Sequence, residues 1–182
     1  MMMLVCLGFI VGCASPPQSS RIAIEDYEEM AAAMSASLRA SEAIAQRTPE
    51  SEVWVVSFDR VLNLSSEVMP TGEQWWVMAN IRGAQPMREL WDDKRIQFVT
   101  PGQHARDLKP RLDAEGVDTD FGSGREVTHT LTATFRSITR ADATHRTDLY
   151  GCEFRLLDLR TGTDVWNNWF EFKRQAEGHV WD

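Results

Sequence analysis

The sequence predicts an α+β fold: a mixed β-sheet that ends in an antiparallel meander, with helices packed against it. Three observations carry this. Residues 24–47 repeat apolar side chains at three- and four-residue steps, residues 53–58 (VWVVSF) form a continuous apolar run, and the last third alternates with a two-residue period. Helical patterns come first and hairpins last, the order of an α+β domain rather than of repeated β-α-β units.

Ile24, Tyr27, Met30, Met34 and Leu38 make one stripe of an amphipathic helix over Ile24–Arg47. Glu25, Asp26, Glu28 and Glu29 crowd its start, where the helix dipole favours negative charge. The run Val53–Phe58 is apolar on both faces and so belongs in the middle of a sheet. Asp59 to Met69 has no clear period and reads as a loop of possible functional use. Thr71 and Gln74 have capping-box spacing and open a second helix that carries Trp75, Trp76, Met78 and Ile81. Pro86 marks a break or a new first turn, and Leu90 and Trp91 close the apolar pattern. Ile96–Val99 is a short strand, a helix follows near Gln103–Ala114, and Glu115–Gly124 is a loop. Val127–Phe135 (VTHTLTATF) alternates as a half-buried strand. In Asp148–Asp158, Tyr150, Cys152, Phe154 and Leu156 share one face, and Gly151, Glu153 and Arg155 the other. A turn at Leu159–Thr163 places Gly162 where positive φ is wanted. Asp164–Lys173 is the return strand.

The chain has 182 residues, 19 Lys+Arg and 27 Asp+Glu, for a net charge of −8. With 43% hydrophobic and 25% charged residues it has the composition of an ordinary globular domain. The acidic balance, without a basic run, argues against nucleic-acid binding. His104, His129, His145 and His179 stand apart and no Cys pair occurs, so no metal site or cofactor is expected. No catalytic motif is found, and Asp92–Asp93 reads as a solvated helix end. Seven Trp invite a glycan-binding reading, but Trp54, Trp75 or Trp76, Trp91 and Trp166 fall in apolar patterns, which points to packing. A non-enzymatic protein is expected.

Met1–Gly12 (MMMLVCLGFIVG) is uncharged and reaches only about 18 Å as a helix, too short for a bilayer core of about 30 Å. It suits the apolar region of a secretory signal peptide. Ile10-Val11-Gly12-Cys13 then resembles the bacterial lipobox: a branched apolar pair, a small residue that lets a peptidase approach, and a Cys whose thiol receives lipid. The expected organisation is a signal peptide over 1–12, the lipidated Cys13 with a short Pro/Ser tether over 13–23, and one periplasmic domain over 24–182. Ser15, rather than Asp, stands second after the lipidated Cys, which by analogy with sorting signals favours the outer membrane. Cys152 is then the one Cys of the folded part, read as a buried, inert thiol.

The ending LYGCEFRLLDLRTGTDVWNNWFEFKR resembles the terminal hairpin of the penicillin-binding-protein activator LpoB family. The pattern is an apolar strand, Asp158-Leu159-Arg160-Thr161-Gly162, then a strand with Trp166 and Lys173. His129–Phe135 and Arg95–Val99 are similar to that family's preceding strands. The resemblance implies a lipid-anchored outer-membrane protein that binds a class A penicillin-binding protein, a peptidoglycan synthase, and stimulates it without catalysis. Its tether, Ala14–Ala23, is shorter than the long Pro-rich one usual in that family. The hairpin also occurs in the related CsgG family, so the alternative is a component of an envelope secretion or assembly complex. A membrane barrel of that type needs two long alternating hairpins, for which this chain has no spare segments.

Within the return strand, Trp166 shares a face with Phe170 and Phe172 and belongs to the core. Trp169 lies opposite, with Asn167, Glu171 and Lys173, and meets the Glu153/Arg155 face across the hairpin. A large indole there needs a cover. Either the helix Ile24–Arg47 covers it, or Trp169, Glu171, Glu153 and Arg155 contact the partner protein.

Overall fold

The computed structural model describes residues 20–83, 89–99 and 126–177. The signal peptide, Cys13, the helix expected at Gln103–Ala114 and the loop Glu115–Gly124 lie outside the described residues. The elements in order are α1 (Ile24–Ala40), α2 (Glu42–Ala45), β1 (Trp54–Phe58), β2 (Leu62–Asn63), α3 (Thr71–Gly83), α4 (Leu90–Lys94), β3 (Ile96–Val99), β4 (His129–Ala141), β5 (His145–Asp158) and β6 (Thr163–Glu177). The sheet runs β3-β1-β4-β5-β6, with β2 beside β4 as well. β1 is parallel to β3 and to β4, and β2 is parallel to β4. β4, β5 and β6 form the antiparallel meander. The class is therefore α+β with a mixed sheet.

One face of the sheet meets the helices. Val56 and Phe58 of β1, Leu131, Ala133 and Phe135 of β4, and Tyr150, Cys152, Phe154 and Leu156 of β5 are buried with Tyr27, Met30, Met34 and Leu38 of α1 and Val77, Met78 and Ile81 of α3. The registers Leu131↔Leu156, Ala133↔Phe154 and Phe135↔Cys152 put these side chains on the same face. Aromatic rings cross the strands in sequence: Phe135 to Tyr150 at 5.8 Å, then Tyr150 to Phe172 at 5.2 Å. Trp166 is buried in this cluster. α1 is clasped to β6 by Asp26, which accepts from Nη2 of Arg174 at 2.6 Å and Nε at 3.1 Å. Asp26 also accepts the Ala23 N–H at 2.8 Å, at the positive end of the helix.

Several details differ from the sequence reading. The first helix is not continuous to Arg47: Ser41 is extended (φ −61°, ψ 148°) and separates α1 from the single turn α2. Ile24, first in the stripe, is 63% exposed, because it precedes the part of α1 that the sheet and α3 cover. The capping box at Thr71 gives way to a helix that starts from the Pro70 carbonyl, which accepts from Glu73 and Gln74. Gln74 instead donates to the Met69 carbonyl at 2.8 Å. The segment Asp59–Met69 contains β2. The meander strands run longer than their apolar alternation: β4 continues to Ala141 and β5 starts at His145. There the helix-side positions are Ser137, Thr139 and Asp148, so the hydrophobic period disappears although the ladder continues. Gly162 has φ +71° at the β5–β6 turn, as the turn chemistry requires.

Candidate functional site

The sheet's other face carries the residues singled out as partner contacts. On β5 and β6 the register pairs Glu153 with Trp169, Gly151 with Glu171 and Arg155 with Asn167. Trp169, Glu171, Glu153 and Arg155 thus share one surface. α1 packs on the opposite face, so the expectation that it covers Trp169 fails, and the indole is 46% exposed. What supports the ring is Gly151. An added Cβ there would run into Cζ2, Cη2 and Cε2 of Trp169, so the ring rests on the strand where a side chain is missing. The indole Nε1–H donates to Glu171 at 3.1 Å.

The neighbouring charges are tied within this face. Arg155 makes a two-pronged pair with Asp164 at 2.9–3.0 Å, and that carboxylate raises the guanidinium's pKa. Glu153 lies 3.5 Å from Arg136. Ile138 (60% exposed) and Leu149 (37% exposed) stand opposite each other on β4 and β5, beside the Trp169 seat. Sequence reasoning missed Arg136 and Ile138 because it ended β4 at Phe135, and it left Leu149, inside the strand it read, out of the outer-face set. The face therefore combines an indole seated on Gly151, two exposed aliphatic side chains and paired charges of both signs. Cys13 lies outside the described residues.

A second feature lies at the other side of the molecule. A cleft of about 730 Å³ opens between the start of α1, the start of α3 and the loop after β2. Tyr27, Ile22, Ile24, Val68 and Trp76 give it apolar walls, and Arg21, Arg146, Glu67 and Glu73 its charged ones. At its base is a buried polar cluster. Asp148 accepts from the hydroxyls of Ser20 and Thr139 and from Nε of Arg146, the last at 2.8 Å. The Tyr150 hydroxyl is within bonding reach of the Ser20 carbonyl (3.2 Å) and the Glu67 carboxylate (3.0 Å). Burial works to raise the Asp148 carboxyl, but its three donors outweigh it and hold its pKa below the usual carboxylate range. Ser20, assigned by sequence to the tether, is wholly buried in this cluster, so packing reaches at least four residues before α1. The Asp59–Met69 loop had drawn attention in the sequence, yet nothing in its pattern pointed to Val68 as a cleft wall.

Other candidates act structurally. His129 is buried and its ring lies 4.1 Å from Trp54, whose other neighbour is the Arg47 guanidinium at 3.9 Å. Burial, with Arg47 nearby, holds His129's pKa below its usual value. Burial pushes the Cys152 thiol up, away from reactive thiolate. Asp93 pairs with Arg39 at 3.5 Å. Among the described residues, no group of three or more His, Cys, Asp or Glu is placed to hold a metal ion, and no helix is long and apolar enough to cross a membrane.

Fold and surface together define an α+β domain with helices on one sheet face and a half-exposed tryptophan on the other. No protein-family model and no curated protein matches the chain. Among solved structures it is similar to the LpoB C-terminal domain of Salmonella enterica, with 11% identity, a TM-score of 0.44, and coverage of 81% of this chain and 98% of the other. The LpoB C-terminal domain of Escherichia coli gives 13% identity, a TM-score of 0.43 and the same coverage. A lipoprotein of Neisseria meningitidis gives 17% identity and a TM-score of 0.41 over 67% of this chain and 83% of its own. These are distant likenesses, and they decide neither family nor function.

Proposed function

We propose that the chain is an envelope lipoprotein, anchored through lipid on Cys13, whose domain binds and activates a class A penicillin-binding protein. It faces the periplasm from the outer membrane and stimulates peptidoglycan synthesis without catalysing a step. The lipobox at Ile10–Cys13 and the likeness of the terminal hairpin to the LpoB family support this reading. The observation that carries the contact face is Trp169: a half-exposed indole, fixed over Gly151, on a sheet face that no described helix covers. A preoriented aromatic side chain loses little freedom on binding, which is why such residues anchor interfaces.

The test places a photocrosslinking amino acid at Lys173, an exposed neighbour on the Trp169 face, in living cells. The expected result is a light-dependent adduct with a class A penicillin-binding protein that disappears when Trp169→Ala is added. Adducts solely with components of a secretion complex would favour the CsgG-like alternative and refute the activator role.

A further inference from the structure

We propose that the cleft end of the domain docks on the surface of the bilayer that holds its own lipid anchor. The inference rests on reading Cys13 as the lipidated residue. Ser20 is buried at the cleft, and 20 − 13 gives seven residue steps back to Cys13. Fully extended, they span about 25 Å. A domain of this length is roughly 40 Å across, so its point of attachment cannot move one domain width from the membrane. The attachment point is also fixed in direction, because the Asp148 and Tyr150 bonds hold Ser20 in place. The end of the domain that carries Ser20 is therefore the end nearest the lipid.

That end exposes large apolar side chains beside a few charged ones. Val68 is 90% exposed, Ile24 63% and Trp76 37%, all three on the cleft wall. Large apolar side chains gathered on one exposed rim mark a contact surface. Trp76 meets Tyr27 edge-on, with ring centres 6.3 Å apart, and an amphipathic indole of this kind is favoured at the headgroup level. The cleft's charges, Arg21 and Arg146 against Glu67 and Glu73, balance. Contact is thus driven by apolar area and is insensitive to salt, unlike docking by a basic patch. The sheet face bearing Trp169 lies on the far side of the helical layer and stays open to a protein partner.

The experiment uses full-length lipidated protein in vesicles of phosphatidylethanolamine with a minor share of phosphatidylglycerol. A nitroxide is attached at Val68→Cys and, separately, at Thr161→Cys in the β5–β6 turn. Cys13 is acylated and Cys152 buried, so each variant carries one label. Flotation with the vesicles first establishes anchoring. The label at 68 is expected to relax several-fold more readily with oxygen, relative to a water-soluble nickel complex, than the label at 161, in low and high salt alike. If both labels are equally aqueous in protein that floats, the docking proposal is wrong and the anchor stands. A label at 68 shielded from both reagents would mean that protein covers the cleft, and loss of the contrast in high salt would mean that charge drives the contact; either overturns the proposal. Failure to float removes the anchor reading and the docking with it.

Discussion

Gly151→Ala should destabilise the wild-type domain but stabilise the Trp169→Ala variant. Trp169 is 46% exposed, so about half of an indole that can bury 150–250 Å² is covered, roughly 100 Å². At about 25 cal/mol per Å² this contributes up to ~2.5 kcal/mol, and nearer 2 after allowing for a partly collapsed unfolded chain. A methyl at 151 occupies the ring's place and displaces it. Against this, replacing a strand glycine by alanine restricts the unfolded chain and gains about 0.5–1 kcal/mol. The balance is a loss of about 1 kcal/mol in the wild type. With Trp169 already removed, only the gain remains, so the same substitution changes sign. Urea unfolding of the four proteins, followed by far-UV circular dichroism, closes the double-mutant cycle. If Gly151→Ala has the same effect in both backgrounds, the indole does not rest on Gly151 and the rigid-anchor reasoning fails.

Trp166→Ala removes a buried core side chain and should cost about 3–5 kcal/mol in the same unfolding assay, more than Trp169→Ala at about 2 or less. Acid should weaken the domain in two stages visible in denaturant midpoints. His129 takes up its proton more readily when unfolded, so stability declines as pH falls through the unfolded histidine value, about 6.5, and His129→Phe should flatten that stage. Asp148 has a lowered folded pKa, so its contribution is full above the unfolded carboxylate value, about 4, and is lost as pH falls through the lower folded one; Asp148→Asn should shrink this second stage, to which the lowered Asp142 and Asp158 also contribute. Cys13→Ala should leave an unprocessed precursor that does not label with a fatty-acid analogue; continued labelling would refute the lipobox.

Where burial is expressed as apolar periodicity, the sequence was sufficient. The alternating faces of Asp148–Asp158 placed Tyr150, Cys152, Phe154 and Leu156 together in the core, and opposition of Trp166 and Trp169 followed from strand geometry alone. The reading stopped short where inward positions are polar: Ser137, Thr139 and Asp148 are held by hydrogen bonds, so the ends of β4 and β5 carry no hydrophobic signal. β2 is two residues long and exists because β4 offers it a parallel edge, a long-range cause that no local pattern contains. The outer sheet face was partly legible, since strand alternation put Trp169, Glu171, Glu153 and Arg155 on one side as the register has them, but the glycine seat of the indole was not. Gly151 reads as an unremarkable strand glycine until Trp169 is placed across from it. The cleft is a product of three separated segments, which single-segment periods cannot reveal.

Strand β6 is fifteen residues long and, among the described residues, pairs on one side only, with β5. An unpaired strand margin is a template on which a stray chain can extend the sheet, a hazard for any protein stored at high local density. Here the margin is spoiled from within. The main-chain N–H of Trp169 is taken at 2.8 Å by the side-chain oxygen of Asn168, whose amide nitrogen in turn reaches Ser37 of α1 at 2.5 Å. That donor is thereby closed to an incoming strand, and Glu171 and Lys173 add charge further along β6. A residue that looks like polar filler between two tryptophans thus removes one bonding position from the margin: Asn168→Val should leave the fold intact and raise the rate at which concentrated protein assembles into aggregates rich in β-structure.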